Sequence, residues 1–110
     1  MHIPIATPTS LTDMIAYQAD SVVSSVLLRN PGGVITLFAF ADGQGLTEHT
    51  TAYDATVLVL EGTVKVTIGE EEHTVTPGQM LHLPPSVPHA LEGDGPFKMV
   101  LTLLKGPRKA

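Results

Sequence analysis

A chain of 110 residues with 43% hydrophobic and 15% charged residues has the length and composition of one folded domain, which excludes intrinsic disorder. The formal net charge of −5, without any basic cluster, argues against nucleic acid as a partner, and no apolar run approaches the length of a membrane span. With no cysteine, disulfides and thiolate metal sites are excluded. We expect one domain over residues 1–110, located in the cytoplasm because its start lacks the features of a secretory leader.

The first predicted element is a short N-terminal helix. Ser10 is a residue type that favours the N-cap, Asp13 follows at the third helical position, and positions 11, 14 and 15 are apolar. Beyond residue 20 the apolar period changes to two, which is typical of strands.

Short strands with glycine and proline turns fill the rest of the chain. A hairpin is predicted around the turn at residues 30–33, and the strand ending near residue 60 is closed by a predicted turn at Glu61-Gly62. Further predicted strands cover residues 46–51, 56–60, 63–68, 73–75, 80–83 and 96–105. Many short strands without intervening helices indicate an all-β antiparallel sandwich or barrel.

The last predicted strand is apolar on both faces. Phe97 and Met99 lie on one face by alternation, and Val100 and Leu104 lie on the other. A second surface is expected to cover the outer residues, so we expect a homodimer.

Two motifs in this region are similar to those of the cupin family. The first reads glycine, five residues, His-x-His, three or four residues, Glu, six residues, glycine, and its frame falls on Gly43, His49, Thr51, Ala55 and Gly62. The second has glycine, proline, glycine, histidine and asparagine at fixed spacings, and its frame falls on Gly78, Pro84, Ser86, His89 and Gly93. The chain therefore resembles a cupin over residues 34–105, which implies a double-stranded β-helix, or jelly-roll, barrel.

The resemblance also implies a metal centre with a reduced set of ligands. Cupins typically hold a metal with three histidines and one glutamate, and here Thr51 and Ala55 replace two of the four. His49 and His89 remain as predicted ligands, and His82, which interrupts an apolar strand, is a third candidate. We expect a divalent transition metal, namely iron, nickel, manganese or zinc.

The predicted ligand of this centre is a small organic molecule. Apolar residues predicted to face inward would line a pocket around the histidines: Phe38, Val57, Val59, Val64, Val66 and Met99. Tyr53 lies on the same strand face as His49 by alternation and is the candidate catalytic residue, moving a proton. If the protein is an enzyme, the resemblance implies a metal-dependent dioxygenase, isomerase, cyclase or lyase. The alternatives are a metal-free barrel that binds or senses a small molecule, and a structural dimer without a ligand.

Overall fold

The structure of the protein, a computed structural model, describes residues 2–106, so residues 1 and 107–110 of the predicted domain lie outside the described part. Within it, the regular structure is almost entirely antiparallel strand, which confirms the all-β prediction. The elements are a 3₁₀ turn (Leu11–Asp13), β1 (Val22–Asn30), β2 (Gly33–Phe40), β3 (Gly45–His49), β4 (Asp54–Ile68), β5 (Glu71–Val75), β6 (Met80–Leu83) and β7 (His89–Leu104).

Strands β4 and β7 each contribute to both layers of a barrel. The first half of β4 pairs with β6 and with the second half of β7, whereas its second half pairs with β5 and with the first half of β7. Strands β1 and β2 extend the first layer, and β3 extends the second. One layer therefore has the order β1-β2-β7-β4-β6, the other has the order β3-β7-β4-β5, and the two enclose the core in a jelly-roll arrangement.

The turn predicted at Glu61-Gly62 is wrong, because these residues form a bulge inside the continuous strand β4. The pairing of β4 with β7 shifts on both sides of Glu61, and Gly62 has a φ of 80°. A tight turn and a bulge both favour a residue that accepts positive φ, so the local sequence does not separate them. The predicted start of the last strand near Pro96 is also wrong, because β7 begins at His89.

The core between the layers is a packed apolar cluster. The rings of Phe40 and Phe97 stack at its centre, with centroids 4.3 Å apart and an interplanar angle of 8°. Of the residues predicted to face inward, Phe38 lies at the margin of this cluster and the others have no exposed surface: Val57, Val59, Val64, Val66 and Met99. These side chains fill the barrel and exclude water from it.

The N-terminal segment of residues 3–17, which we call the strap, contains one 3₁₀ turn where the sequence predicts a short helix. Its backbone bonds run from Asp13 to Ser10 and from Met14 to Leu11, and the Ser10 side chain makes no capping hydrogen bond. The apolar residues that suggested a helix, Ile15 among them, pack on the outer face of the first layer. Within residues 2–106, no helix is long and apolar enough to cross a membrane.

The strap covers part of the outer face that the sequence assigned to a dimer partner. Val100, only 7% exposed, lies in one apolar cluster with Leu37 and Ala39 of β2. Ile15 of the strap completes this cluster. The chain itself therefore supplies the cover over Val100. Leu104, further along β7, remains 56% exposed.

A buried lysine fastens the strap to the barrel. The Nζ of Lys98, a residue only 8% exposed, donates to the carbonyl oxygen of Thr12 at 2.7 Å and lies 3.9 Å from Glu61 Oε2. It also lies 5.0 Å from the centre of the Tyr17 ring, and the Tyr17 hydroxyl donates to the same Glu61 oxygen at 2.5 Å. Thr12 and Tyr17 of the strap thus contact the ion pair of Lys98 and Glu61. Together these three partners satisfy the charge of the lysine.

This arrangement predicts a loss of stability in alkaline solution. Burial, the hydrogen bond to Glu61 and the charge of Glu61 together raise the pKa of Tyr17 above its ordinary value near 10. The folded state therefore retains a proton that the unfolded chain releases, so this stabilisation is complete below about pH 10 and is lost as the pH rises further. We expect denaturant melts between pH 8 and pH 11 to show a larger loss for the wild type than for Tyr17→Phe. Equal losses would contradict the proton linkage.

Candidate functional site

The two histidines carried by the family motifs lie on neighbouring strands of the second layer. His49 ends β3, His89 begins β7, and the two residues are directly paired in the sheet register. On its other side His89 pairs with Ile68 of β4. Directly opposed residues of antiparallel strands project to the same face, so the pairing brings the two imidazoles together.

The imidazoles face each other through their Nε2 atoms. These atoms are 3.1 Å apart, and the rings meet edge to face with centroids 4.3 Å apart and an interplanar angle of 70°. His49 Nδ1 lies 2.8 Å from the carbonyl oxygen of Thr47, and His89 Nδ1 lies 3.3 Å from that of Val87. A carbonyl oxygen only accepts hydrogen bonds, so two neutral rings that each donate through Nδ1 present their Nε2 lone pairs to each other. If one ring instead carries a proton on Nε2, that ring donates a hydrogen bond to the other Nε2 across the same 3.1 Å.

The surroundings keep His89 neutral. Burial is the largest cause that lowers the pKa of His89, the charge of a protonated His49 lowers it further, and the Val87 carbonyl acts in the opposite direction. The His89 residue is only 4% exposed, whereas His49 is exposed to solvent. One ring is therefore fixed inside the barrel wall, and the other is reachable from outside.

With both Nδ1 atoms protonated, the two Nε2 lone pairs repel each other at this distance, and a cation held by both rings would remove the repulsion. Nitrogen ligands lie roughly 2.0 to 2.1 Å from zinc, so two such ligands are about 2.9 Å apart at a right angle and about 3.3 Å apart at the tetrahedral angle that zinc prefers. The Nε2 separation of 3.1 Å lies between these two values. Metal-binding histidines almost always donate their other ring N–H to a carbonyl, carboxylate or water, and the Nδ1 atom of each ring here lies next to a backbone carbonyl that can accept it. The residues present fit a divalent transition metal with two protein ligands.

The structure places the third candidate ligand, His82, away from this pair. Its neighbours Leu81 and Leu83 pack against the core, and the side chain of His82, 52% exposed, points outward. Its Nε2 lies 2.7 Å from Asp54 Oδ1. Among residues 2–106 no group of three or more histidine, cysteine, aspartate or glutamate side chains is placed to hold a metal. The pair of His49 and His89 therefore stands without a third side chain of these types.

Tyr53, predicted to lie on the face of His49, and Thr51, which replaces a family ligand, occupy the connection between β3 and β4. Tyr53 is 40% exposed and its ring lies 6.0 Å from Lys105 Nζ, while its backbone N–H donates to Thr51 Oγ1 at 3.3 Å. The carbonyl oxygen of Thr51 accepts from the backbone N–H of Ser86 at 2.7 Å. This bond ties the β3–β4 connection to the loop that leads into His89.

Sequence reasoning found the two histidines and missed the groups that orient them. The Thr47 and Val87 oxygens are backbone atoms two residues before each histidine. Any residue type offers a carbonyl, so no residue pattern marks these contacts. The hydrogen bond between His82 and Asp54 was also missed, because it depends on the pairing of β4 with β6.

A two-layered antiparallel barrel with a histidine pair on neighbouring strands defines a small all-β protein with a candidate metal centre in its wall. The profile of the family described as "Cupin domain" matches residues 36–103. The chain belongs to the cupin family, which confirms the resemblance seen in its motifs.

Solved structures agree with this assignment. A conserved protein of unknown function from Streptococcus pyogenes is 31% identical, with 96% of this chain and 93% of that chain covered and a TM-score of 0.89. A cupin superfamily protein from Desulfitobacterium hafniense is 30% identical, with 93% and 94% covered and a TM-score of 0.87. A cupin 2 conserved barrel domain protein from Leptotrichia buccalis is 35% identical, with 86% and 46% covered and a TM-score of 0.81. No curated protein matches the chain.

Proposed function

We propose that this small cupin binds a divalent transition metal through Nε2 of His49 and Nε2 of His89, and that the metal centre takes up a small organic molecule. The observation that carries the proposal is the approach of two Nε2 atoms to 3.1 Å while both Nδ1 atoms are tied to backbone carbonyls. With both Nδ1 atoms protonated, this arrangement would bring both Nε2 lone pairs into the same small region and orient both rings before the ion arrives, as in metal centres with a supporting outer shell.

The chemistry of the ligand follows from the charges around the pair. Neutral imidazoles do not offset the double charge of the ion, and no carboxylate side chain of the described residues joins the pair as a third ligand. An anionic or hydroxyl oxygen of the ligand would supply the missing donor. The apolar core fills the barrel behind His89, so the molecule would reach the ion from the exposed side of His49 and would be small. A bound ion would supply Lewis acidity to that oxygen.

The proposal is tested by metal binding to protein purified without an affinity tag. We expect one equivalent of zinc or nickel in titration calorimetry, and stabilisation by about 2.7 kcal/mol at a free metal concentration of a hundred times Kd. His49→Ala and His89→Ala each remove one of two protein ligands. Each is expected to weaken binding by more than the roughly 10- to 100-fold that loss of an outer-shell partner costs.

Two other histidines provide matched controls. His73 is half-buried with its Nε2 3.4 Å from Glu71, His82 is exposed, and both lie outside the pair. His73→Ala and His82→Ala should leave the affinity unchanged. If the wild type and all four variants bind the same small amount of metal, the proposal is wrong.

A metal-free barrel that binds a small molecule is the second candidate, and the replacement of two family ligands by Thr51 and Ala55 favours it. It predicts that a ligand raises the melting temperature to the same extent with and without a chelator. The metal centre predicts that the chelator abolishes the shift.

A further inference from the structure

Residues 84–88, which we call the proline loop, join β6 to the histidine that begins β7. A proline ring fixes φ at about −65°, and it does so at three positions of this loop: Pro84, Pro85 and Pro88. Ser86 and Val87 are left, and Val87 is restricted to extended conformations because a proline follows it. Ser86 is therefore the residue whose φ decides the path of the loop into His89.

Ser86 has a conformation that residues with a side chain rarely adopt. Its φ is 64°, and among the described non-glycine residues only Ala6 and Asp20 also have a positive φ. A positive φ directly after a proline is the arrangement of a type II turn, which favours glycine or asparagine at this position. The Ser86 side chain is exposed, and its hydroxyl has no hydrogen-bond partner within residues 2–106. Contacts of the side chain thus do not offset the cost of this conformation, and such backbone strain clusters at functional sites.

The backbone of the proline loop is held on two sides. The N–H of Ser86 donates to the carbonyl oxygen of Thr51 at 2.7 Å, and Thr51 lies two residues after His49. The N–H of Gly69, in the turn between β4 and β5, donates to the carbonyl oxygen of Pro88 at 2.8 Å. One bond therefore ties the loop to the segment that follows His49, and the other ties it to a turn of the same layer.

The proline loop in turn contacts the imidazole of His89. The carbonyl oxygen of Val87 lies 3.3 Å from Nδ1 of His89 and can accept its proton. Because Ser86 turns the chain directly before Val87, the φ of Ser86 determines where this carbonyl lies. A ring held at Nδ1 directs its Nε2 toward Nε2 of His49, which is 3.1 Å away.

We propose that Ser86 is a positioning residue of the metal centre: its positive φ places the Val87 carbonyl against Nδ1 of His89 and so directs Nε2 of His89 toward His49. This inference rests on the proposed function for its metal, but the orientation of the ring is also a property of the metal-free protein. Ser86 acts through its backbone. Tolerance of a positive φ, rather than the size or polarity of the side chain, is therefore the property required at position 86.

Substitutions at position 86 separate backbone conformation from side-chain chemistry. Glycine and asparagine accept a positive φ, whereas a β-branched residue with a positive φ is an outlier. In zinc titration calorimetry we expect Ser86→Gly and Ser86→Asn to keep the affinity of the wild type. Ser86→Val, whose side chain is close in size to that of asparagine, should bind zinc roughly 10- to 100-fold more weakly, which is the loss that removal of an outer-shell partner causes.

Ala6→Val is the matched control. Ala6 also has a positive φ, of 52°, and it belongs to the strap, which packs on the first layer, whereas the histidine pair lies in the second. The same β-branched residue is thus placed in the same region of φ, and the zinc affinity should stay unchanged. Circular dichroism checks that each variant is folded. If Ser86→Val does not fold, the milder Ser86→Thr takes its place and should weaken binding in the same direction.

The tautomer of His89 in the metal-free protein provides a second measurement. Proton–nitrogen NMR spectra distinguish a protonated ring nitrogen from a bare one. At a pH where the imidazole is neutral, we expect the proton on Nδ1 in the wild type, Ser86→Gly and Ser86→Asn, and a mixture of tautomers in Ser86→Val. If the wild type binds no zinc, the metal proposal is wrong, and these spectra alone decide whether Ser86 orients the ring.

The role of Ser86 is refuted if Ser86→Val keeps both the zinc affinity and the His89 tautomer of the wild type. A wild-type His89 protonated on Nε2 would also refute it, because the contact with Val87 would then be absent. Two further results would overturn it. Equal losses of affinity in Ala6→Val and Ser86→Val would indicate general destabilisation, and equal losses in Ser86→Gly and Ser86→Val would indicate a role of the serine side chain.

Discussion

Replacing Gly62 by alanine is expected to destabilise the protein by about 2 to 5 kcal/mol, a large share of the roughly 5 to 15 kcal/mol that holds a domain of this size folded. Gly62 has a φ of 80°, a conformation that costs residues with a Cβ roughly 1 to 2 kcal/mol. A Cβ at this position would also lie 2.3 Å from the Pro96 carbonyl oxygen and 2.8 Å from Phe97 Cβ. The backbone of β7 cannot move away without disturbing the core around Phe97, which adds about 1 to 3 kcal/mol.

Gly78 provides a matched control for this substitution. Its φ is 87°, but an added Cβ would have no heavy atom within 4 Å. Gly78→Ala should therefore show the conformational cost alone. Urea unfolding measures the free energy of unfolding of both variants. The difference between their losses is the cost of the contact between the added Cβ on β4 and the backbone of β7. Equal losses would show that backbone conformation explains the whole effect.

The sequence predicted the strands and their inner faces because a period of two reports directly which side chains share a face. It failed at Glu61-Gly62, where only the partner strand β7 distinguishes a bulge from a turn. The prediction of a helix in the strap failed for a related reason. Its apolar residues had the spacing of a helix, yet their packing is set by the outer face of a sheet whose strands are distant in sequence. Local patterns carry no information about such partners.

For the candidate site, the sequence predicted which histidines take part but not how their rings are oriented. The family motifs identified His49 and His89, and the strand register explains why they meet. The orientation of the rings depends on the carbonyls of Thr47 and Val87, which no side chain encodes. The sequence did not show which way His82 points, because strand alternation cannot be followed through the loop containing Pro84. The pairing of β6 with β4 determines that the side chain points outward. The sequence thus predicted the donors, and the fold supplies their geometry.

Replacing Ala55 by glutamate is expected to make the stability of the protein depend on metal. Ala55 is 1% exposed and lies in the apolar core, paired with Leu83 and Leu103. A buried, uncompensated carboxylate costs on the order of several kcal/mol. In the family, this position carries the glutamate ligand, so a divalent ion held by His49 and His89 would offset the charge. We expect a low melting temperature for Ala55→Glu in chelator and a large recovery with zinc or nickel.

The second substitution of the family set and a matched control sharpen this experiment. Adding Thr51→His to Ala55→Glu supplies the remaining family ligand, so the double variant should bind metal more tightly than the wild type. Ala39 has no exposed surface and lies in the other apolar cluster, under the strap. Ala39→Glu should lose stability to an extent that metal does not change. If Ala55→Glu melts at the same low temperature with and without metal, position 55 does not face the histidine pair, and the missing charge of the metal centre must come from the bound molecule alone.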